Sequence, residues 1–369
     1  MKTDQPIFVV GTRPELIKVA PVFKCFQAAD LDPQLILTNQ QGSMVLDLLP
    51  WFEIYNPLAL PELTEQSLIG KFWEISKNLS SLITTGTKKK WVFAQGDTTT
   101  VAATAITSFY TENYFAHLEA GLRCDTPWLP FPEEGNRRIA SQISKLNFAP
   151  TKSAVDNLIK SGVDAATVHL VGNTGIDALL ASAKKSESLT ESDLFSQETG
   201  RTKILVTMHR RESFGAPMIE ACRAIAYIAE TFQVEILWPV HSNPRVREII
   251  TSELSGIDSI RLVEPLNYPE LVSVMKGCDF ILTDSGGIQE EAPALGKPVL
   301  VLREETERQE LIEEGGGILV GTDYSKIVNF SKKLIQDRAF YNSMQLNSSP
   351  FGDGNSAKAI LEIYKSHVD

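Results

Sequence analysis

"IFVVGTRPELIKVAP", residues 7–21, opens as a run of four apolar residues and breaks at Gly11-Thr12-Arg13 before an amphipathic stretch. An apolar run that stops at a glycine and passes into a helical period reads as one βα unit with a strand buried on both faces. Pro14 suits a helix start, where its missing N–H costs little, and the helix is expected to reach about Ala28. An arginine stands at the mouth of this unit, where a nucleotide-binding fold usually places glycines.

The same grammar continues outward. Strands are expected at Gln34–Thr38, in "WVFAQGD" (91–97) and in "YFAHLEAG" (114–121), and helices at 42–49, 67–84 and 98–110. The segment 168–180 closes the first half, and 181–203 is polar and rich in serine and charge, as a linker or surface helix would be. A new series of strands follows at 203–209, 234–241, 259–265, 280–285 and 298–302. The expected fold is α/β, with two Rossmann-like domains facing a cleft. The boundaries are 1–172 for the first domain and 173–354 for the second, with an amphipathic helix at 355–369 returning to the first. Arg13, Asp97, Glu119, His209, His241 and Ser285 each follow a strand. Ligands of such sheets bind beyond the carboxyl ends of the strands, so these residues predict an active site.

The chain has 369 residues, 43% of them hydrophobic and 22% charged, with a net charge of -11. That balance fits a globular protein and argues against a nucleic-acid binder, which needs a basic footprint. No apolar run reaches the length of a membrane span, and residues 1–10 lack the basic and apolar regions of a signal peptide, so a cytoplasmic protein is expected. Cys25, Cys124, Cys222 and Cys278 form no CxxC, which predicts reduced thiols and no zinc knuckle.

The candidate groups fall into three sets. Asp97, Glu119, Glu133 and Glu134 are acids: two end neighbouring strands, and two open a helix after the loop stiffened by Pro130 and Pro132. Close carboxylates suit general acid–base work; metal binding is the rival use of the same oxygens and lacks a repeated ligand spacing. "TMHRRESFG" (207–215) gathers His209, Arg210, Arg211 and Glu212 after a strand, as a diphosphate site or as a salt-bridged loop. "TDSGGIQEE" (283–291) is expected to make a tight turn at Ser285, Gly286 and Gly287 into a helix of Gln289–Ala294. Free N–H groups there would cradle phosphate, with Glu290 and Glu291 in the first turn; a plain capped helix is the structural reading. His117 lies within a strand and reads equally as a packed histidine, whereas His241 ends one. No GxGxxG follows a strand and no GxxxxGK is present.

In order along the chain, "GTRPELIK" (11–18), "GDTTT" (96–100), "EAGLR" (119–123), "PEEGNRR" (132–138), "GNTGIDAL" (172–179), "HRRESFG" (209–215), "PVHSNP" (239–244), "TDSGGIQEEAPALGKPVL" (283–300), "TER" (306–308) and "GDG" (352–354) closely resemble the non-hydrolysing UDP-N-acetylglucosamine 2-epimerases. The resemblance covers almost the full length. It implies the architecture of B-type nucleotide-sugar glycosyltransferases, a UDP-sugar substrate, a homodimer, and neither cofactor nor metal. It also implies inversion at C2 of UDP-N-acetylglucosamine by loss and re-addition of UDP through 2-acetamidoglucal. By the same resemblance Asp97, Glu119, Glu133 and His209 are catalytic. Arg13, Lys18, Arg210, His241, Ser285, Gly286, Gly287 and Glu291 bind the UDP-sugar, while the role of Arg308 is left open.

The chain departs from many bacterial members at Gln41 and Gly42, where they carry histidine and arginine, and at Glu65, where some carry arginine. In regulated members these regions help a second UDP-N-acetylglucosamine activate the enzyme, so weak or altered activation is expected. Gln95, the segment Cys124–Leu129 and Gln309 also differ from the common pattern and leave the main acids intact. An epimerase of a modified UDP-sugar, such as a UDP-2,3-diacetamido uronic acid, is the alternative. A glycosyltransferase or a non-catalytic UDP-sugar binder on the same fold are more distant ones.

Overall fold

The structure, a computed structural model, describes residues 5–84, 88–185, 194–196, 200–210 and 213–368, without the side chains of Ser43 and Met44. The chain divides into two compact units. The first is Met1–Ala178 together with Gly352–Asp369, and the second is Leu179–Phe351.

The first unit runs β1 (Ile7–Val10), α1 (Arg13–Ala28), β2 (Gln34–Leu37), α2 (Ser43–Leu46), β3 (Leu58–Ala59), α3 (Leu68–Ile83), β4 (Trp91–Gln95), α4 (Thr99–Tyr110), β5 (Tyr114–Leu118), α5 (Glu133–Ile143), β6 (Leu146–Ala149), α6 (Lys152–Lys160) and β7 (Val168–Leu170). Helix α7 (Thr174–Lys185) crosses into the second unit. The strands form a parallel sheet in the order β3-β2-β1-β4-β5-β6-β7. Register is close at the centre, with Phe8 opposite Phe93 and Ala94 opposite His117. Rings from the sheet and from α1 make the core. Phe8 stacks on Phe93 at 4.7 Å, and Phe26 meets Phe8 edge-on at 5.3 Å. These pairs add about 0.5–1.5 kcal/mol each beyond the burial of their area.

The second unit runs β8 (Thr202–Thr207), α8 (Ala216–Thr231), β9 (Val234–Pro239), α9 (Pro244–Leu254), β10 (Ile260–Val263), α10 (Tyr268–Gly277), β11 (Phe280–Thr283), α11 (Gly286–Glu291), β12 (Val299–Val301), α12 (Gln309–Glu313), β13 (Gly317–Leu319), α13 (Tyr324–Gln336) and α14 (Arg338–Met344). Its parallel sheet has the order β10-β9-β8-β11-β12-β13. Trp238, Phe280, Val206 and Met218 are among the fully buried side chains of its core.

The closing helix, α15 (Ser356–Lys365), belongs to the first unit, where Tyr364 packs on Phe26 at 4.8 Å. The first unit also extends beyond residue 172 and takes in 352–354, which moves both expected boundaries. The physical cause is a polar joint. Asp177, in the first turn of α7, accepts from the Ala357 N–H at 2.9 Å and so ties the start of α7 to the returning helix.

Both sheets reverse strand order beside their first strand, at β1/β4 and at β8/β11. Such switch points open crevices at the carboxyl ends of the strands, where ligands of open α/β sheets bind.

Candidate active site

The turn after β1 is shaped by close packing. A Cβ on Gly11 would lie 2.0 Å from Oγ1 of Thr100 and 2.6 Å from Oγ1 of Thr38, so only glycine lets this turn meet α4. Arg13 then opens α1, and its N–H donates to Oε1 of Gln41 at 2.9 Å. Lys18, on the same helix, pairs with the carboxylate of Glu119, which also accepts from Nε2 of Gln95 at 2.9 Å. Glu119 has φ of 62°, in the left-handed region that non-glycine residues rarely occupy. Such backbone is held against its preference and recurs at functional sites.

Asp97 follows β4 as Glu119 follows the adjacent β5. Nη1 of Arg137 donates to Oδ2 of Asp97 at 2.6 Å, and Nδ2 of Asn136 donates to the Asp97 carbonyl at 2.8 Å. Two residues of α5 thus fix Asp97 through side chain and backbone. Glu133 is half-buried at the first position of α5. Its neighbour Glu134 is fully buried. It accepts from Nε of Arg137 at 2.9 Å, Nε of Arg138 at 2.6 Å and the Cys124 N–H at 3.1 Å. Glu134 therefore holds the arginine that holds Asp97. His117 is buried, and its Nε2 donates to the Gly96 carbonyl at 2.7 Å. Burial pushes its pKa down to about 4, so the ring is neutral at physiological pH and fixes the residue before Asp97.

In the second unit the organiser is Asp284, a buried carboxyl directly after β11 that sequence reasoning missed. Oδ2 accepts the N–H groups of both His209 and Arg210 at 2.8 Å, and Oδ1 lies 3.2 Å from Nδ1 of His209. The His209 ring is exposed and stacks on that of His241, with centroids 6.0 Å apart and planes 16° from parallel. Nδ1 of His241 accepts from the Asn243 N–H at 3.1 Å. Arg211 and Glu212 lie outside the described residues.

The glycine segment differs from its expected form. Ser285 is the N-cap of α11, and Gly286 and Gly287 are its first helical residues, so the helix starts three residues before Gln289. Glu290 and Glu291 consequently end α11 and do not face the positive end of its dipole. Glu290 is buried and accepts from Arg308, at 2.7 Å from Nη2 and 3.0 Å from Nε. The guanidinium lies against the start of α11, 2.8 Å from where a Cβ on Gly286 would stand, so any larger residue there would push the Arg308 side chain aside. Glu291 is half-buried, near the phenol of the buried Tyr268, whose pKa is raised by burial and by that carboxylate.

Among the described residues no group of three or more His, Cys, Asp or Glu side chains is placed to hold a metal, no helix is long and apolar enough to cross a membrane, and no disulfide joins the cysteines. The first unit offers positioned carboxylates. The second offers an oriented histidine, an arginine and main-chain donors, the groups that suit a phosphorylated ligand.

The family described as UDP-N-acetylglucosamine 2-epimerase matches residues 24–365. A UDP-N-acetylglucosamine 2-epimerase from Salmonella borreze is 39% identical, with 98% of each chain covered. The crystal structure of the Neisseria meningitidis UDP-GlcNAc 2-epimerase bound to UDP-GlcNAc is similar over 98% of this chain and all of that one, at a TM-score of 0.89 and 36% identity. The Methanocaldococcus jannaschii UDP-GlcNAc 2-epimerase in complex with UDP-GlcNAc and UDP matches at a TM-score of 0.80 and 30% identity, covering 98% of this chain and 99% of that one. With parallel sheets in both units, acids beyond one and a histidine–arginine–glycine set beyond the other, the chain belongs to the UDP-N-acetylglucosamine 2-epimerase family.

Proposed function

We propose that the protein interconverts UDP-N-acetylglucosamine and UDP-N-acetylmannosamine by inverting C2 of the sugar. The observation that carries this reading is the placement of Asp97 and Glu119 beyond the ends of adjacent parallel strands, each fixed by a cationic side chain. A carboxylate of the set Asp97, Glu119 and Glu133 removes the C2 proton. The C–H electron pair becomes the C1–C2 π bond, and the C1–O bond breaks with its pair on the UDP oxygen, leaving 2-acetamidoglucal. A second acid of the set returns a proton to the opposite face of C2 while UDP re-adds at C1. The step is redox-neutral, so no nicotinamide enters.

Charge grows on the leaving diphosphate, and Arg13, His209 and Arg210 are donors suited to it. Asp284 supports this role of His209 by holding its backbone N–H and standing 3.2 Å from Nδ1, which leaves Nε2 to the ligand. Ser285, Gly286 and Gly287 hold phosphate, Glu291 the ribose, and His241 the substrate beside His209. Lys18 keeps the Glu119 carboxylate in place.

The product feeds surface polysaccharide synthesis in the cytoplasm, and the working form is a homodimer. Exposed Ile69 and Trp73 on α3 and Phe109 and Tyr110 on α4, two helices that pack together, support self-association. Sedimentation of wild type against Trp73→Glu tests it: a wild-type monomer removes the dimer.

The reaction is tested by proton NMR of the protein with UDP-N-acetylglucosamine in deuterated buffer. UDP-N-acetylmannosamine carrying deuterium at C2 is expected. Folded protein that binds UDP yet gives neither exchange nor product would shift the assignment to a modified UDP-sugar.

A further inference from the structure

Glu15, the third residue of α1, is 2% exposed and has no part in the reaction as assigned above. In a capping box the glutamate turns back to the N-cap N–H. Glu15 does this and more. Its Oε2 accepts the N–H groups of Gly11 at 2.6 Å and Thr12 at 2.9 Å, and its Oε1 accepts the hydroxyl of Thr98. Thr98 is the N-cap of α4, yet its side chain makes no cap bond to that helix. Its hydroxyl crosses to Glu15 instead. One buried carboxyl thereby joins the turn that carries Arg13 to the turn in which Thr98 directly follows Asp97. The turn after β2 braces the same helix start: Oε1 of Gln40 accepts the N–H of Thr100 at 3.1 Å and its hydroxyl at 2.7 Å.

We propose that Glu15 is a positioning residue for Asp97, clamping the turn of this proton-transfer carboxylate to the turn of Arg13. The chemistry rests on the epimerase reading; the clamp rests on the hydrogen bonds. Burial pushes the Glu15 carboxyl up to about 7, against the pull of its hydrogen bonds to Thr98, Gly11 and Thr12 and with the charge of Asp97 adding to the rise. Asp97 is the charged group acting on it from the β4–α4 turn, Arg13 and Lys18 stand on its own helix, and Gly11, Thr12 and Thr98 are uncharged donors. As a carboxylate Glu15 accepts all three bonds. Once protonated it must donate one, and only the Thr98 oxygen can accept. The clamp therefore rearranges near neutral pH.

Glu15→Gln keeps the shape and removes the ionisation, whereas Thr98→Val keeps the ionisation and removes the link. Both are expected to lower kcat about 10- to 100-fold, the scale of a misplaced catalytic group, with KM within about twofold. Glu15→Gln should also erase an inflection of kcat near pH 7. A readout independent of turnover is the carboxyl-carbon NMR titration of Asp97, assigned with Asp97→Asn. Because Glu15 ionises near pH 7, the Asp97 signal should show a step there in wild type that is absent in Glu15→Gln. Unchanged pH profiles and an Asp97 signal whose response near pH 7 is the same in Glu15→Gln as in wild type overturn the proposal. If wild type exchanges no proton at C2, the epimerase reading falls and the Asp97 titration still decides the clamp. If Glu15→Gln does not fold, Thr98→Val decides it: wild-type kcat there overturns the proposal.

Discussion

The two units build their functional turns by different means. In the first, side chain holds side chain: Lys18 to Glu119 and Arg137 to Asp97 across elements, and Glu134 to Arg137 and Arg138 within α5. In the second, one buried carboxyl, Asp284, takes the backbone N–H groups of His209 and Arg210, and Gly287 leaves main chain exposed in the first turn of α11. A proton-transfer site needs carboxylates in fixed places, and ion pairs fix them. A phosphate site needs donors, and the backbone supplies these without titrating. The first unit should therefore be the one sensitive to charge and pH.

The largest effect is expected at the chemistry. Asp97→Asn should slow C2 exchange by about 10³-fold, within the usual range for a general acid or base. Exchange within about tenfold of wild type would remove Asp97 from proton transfer. Glu134→Ala comes next and acts on stability. It leaves the buried guanidinium of Arg137 with Asp97 as its remaining carboxylate, and breaking a buried pair costs about 3–5 kcal/mol. The matching test in the second unit is the exposed Arg247–Glu264 pair, where Glu264→Ala should leave urea unfolding unchanged. Equal losses at both sites would break the contrast.

A third effect comes from opposed titrations within the first unit. Burial raises Glu15 from 4.5 to about 7, so its contribution to stability is full below 4.5 and is lost as pH rises toward 7. Burial lowers His117 from 6.5 to about 4, so its contribution is full above 6.5 and is lost as pH falls toward 4. Each amounts to about 3 kcal/mol at 1.36 kcal/mol per pH unit, with opposite sign, and between pH 4.5 and 6.5 they cancel. Wild-type stability should be nearly flat there, while that of Glu15→Gln should rise with pH. A flat profile in Glu15→Gln as well would show that the two groups do not titrate as their burial requires.

In the second unit Asp284→Asn should lower kcat about 10²-fold, since the histidine loses its orienting carboxylate while the fold keeps its backbone acceptor. A change in KM alone would make Asp284 a binding group only.

How much of this could be read from residues alone follows from what is local. Apolar runs such as those around Phe8, Phe93 and Phe280 mark buried parallel strands, and the polar residue just past each run stands at the functional edge. That marks Arg13, Asp97, Glu119, His209 and His241 as candidates. Partners were not visible, because they depend on strand order. Asp284 meets His209 from 75 residues away, and Arg137 meets Asp97 from 40. Nothing local to Glu15 shows that Thr98, 83 residues away, covers it. Short strands were lost too. β3 has two residues, and β6 hides behind Asn147, whose buried amide bonds the Ser141 carbonyl. α11 starts earlier than expected because Gly286-Gly287 reads as a turn, whereas both are helical behind Ser285.

The smallest expected effect concerns a second substrate molecule. Where regulated members of the family carry histidine and arginine, this chain has Gln41 and Gly42. Gln41 donates no charge and directs its side-chain carbonyl to the Arg13 N–H. Gly42 has φ of 59°, which an arginine would adopt only with strain. Glu65 adds an acid beside Glu74, whose carboxylate already accepts the Glu65 N–H at 3.2 Å. Two fewer cationic donors and one more carboxylate weaken any anion bound there. Initial velocities starting from UDP-N-acetylmannosamine should therefore rise less than about fivefold, the low end of allosteric couplings, when UDP-N-acetylglucosamine is added. A reverse reaction that is silent until UDP-N-acetylglucosamine is present would show that other donors replace the lost pair. A wild type that is insensitive, beside a Gln41→His, Gly42→Arg variant that gains the response, would locate the difference in these two residues.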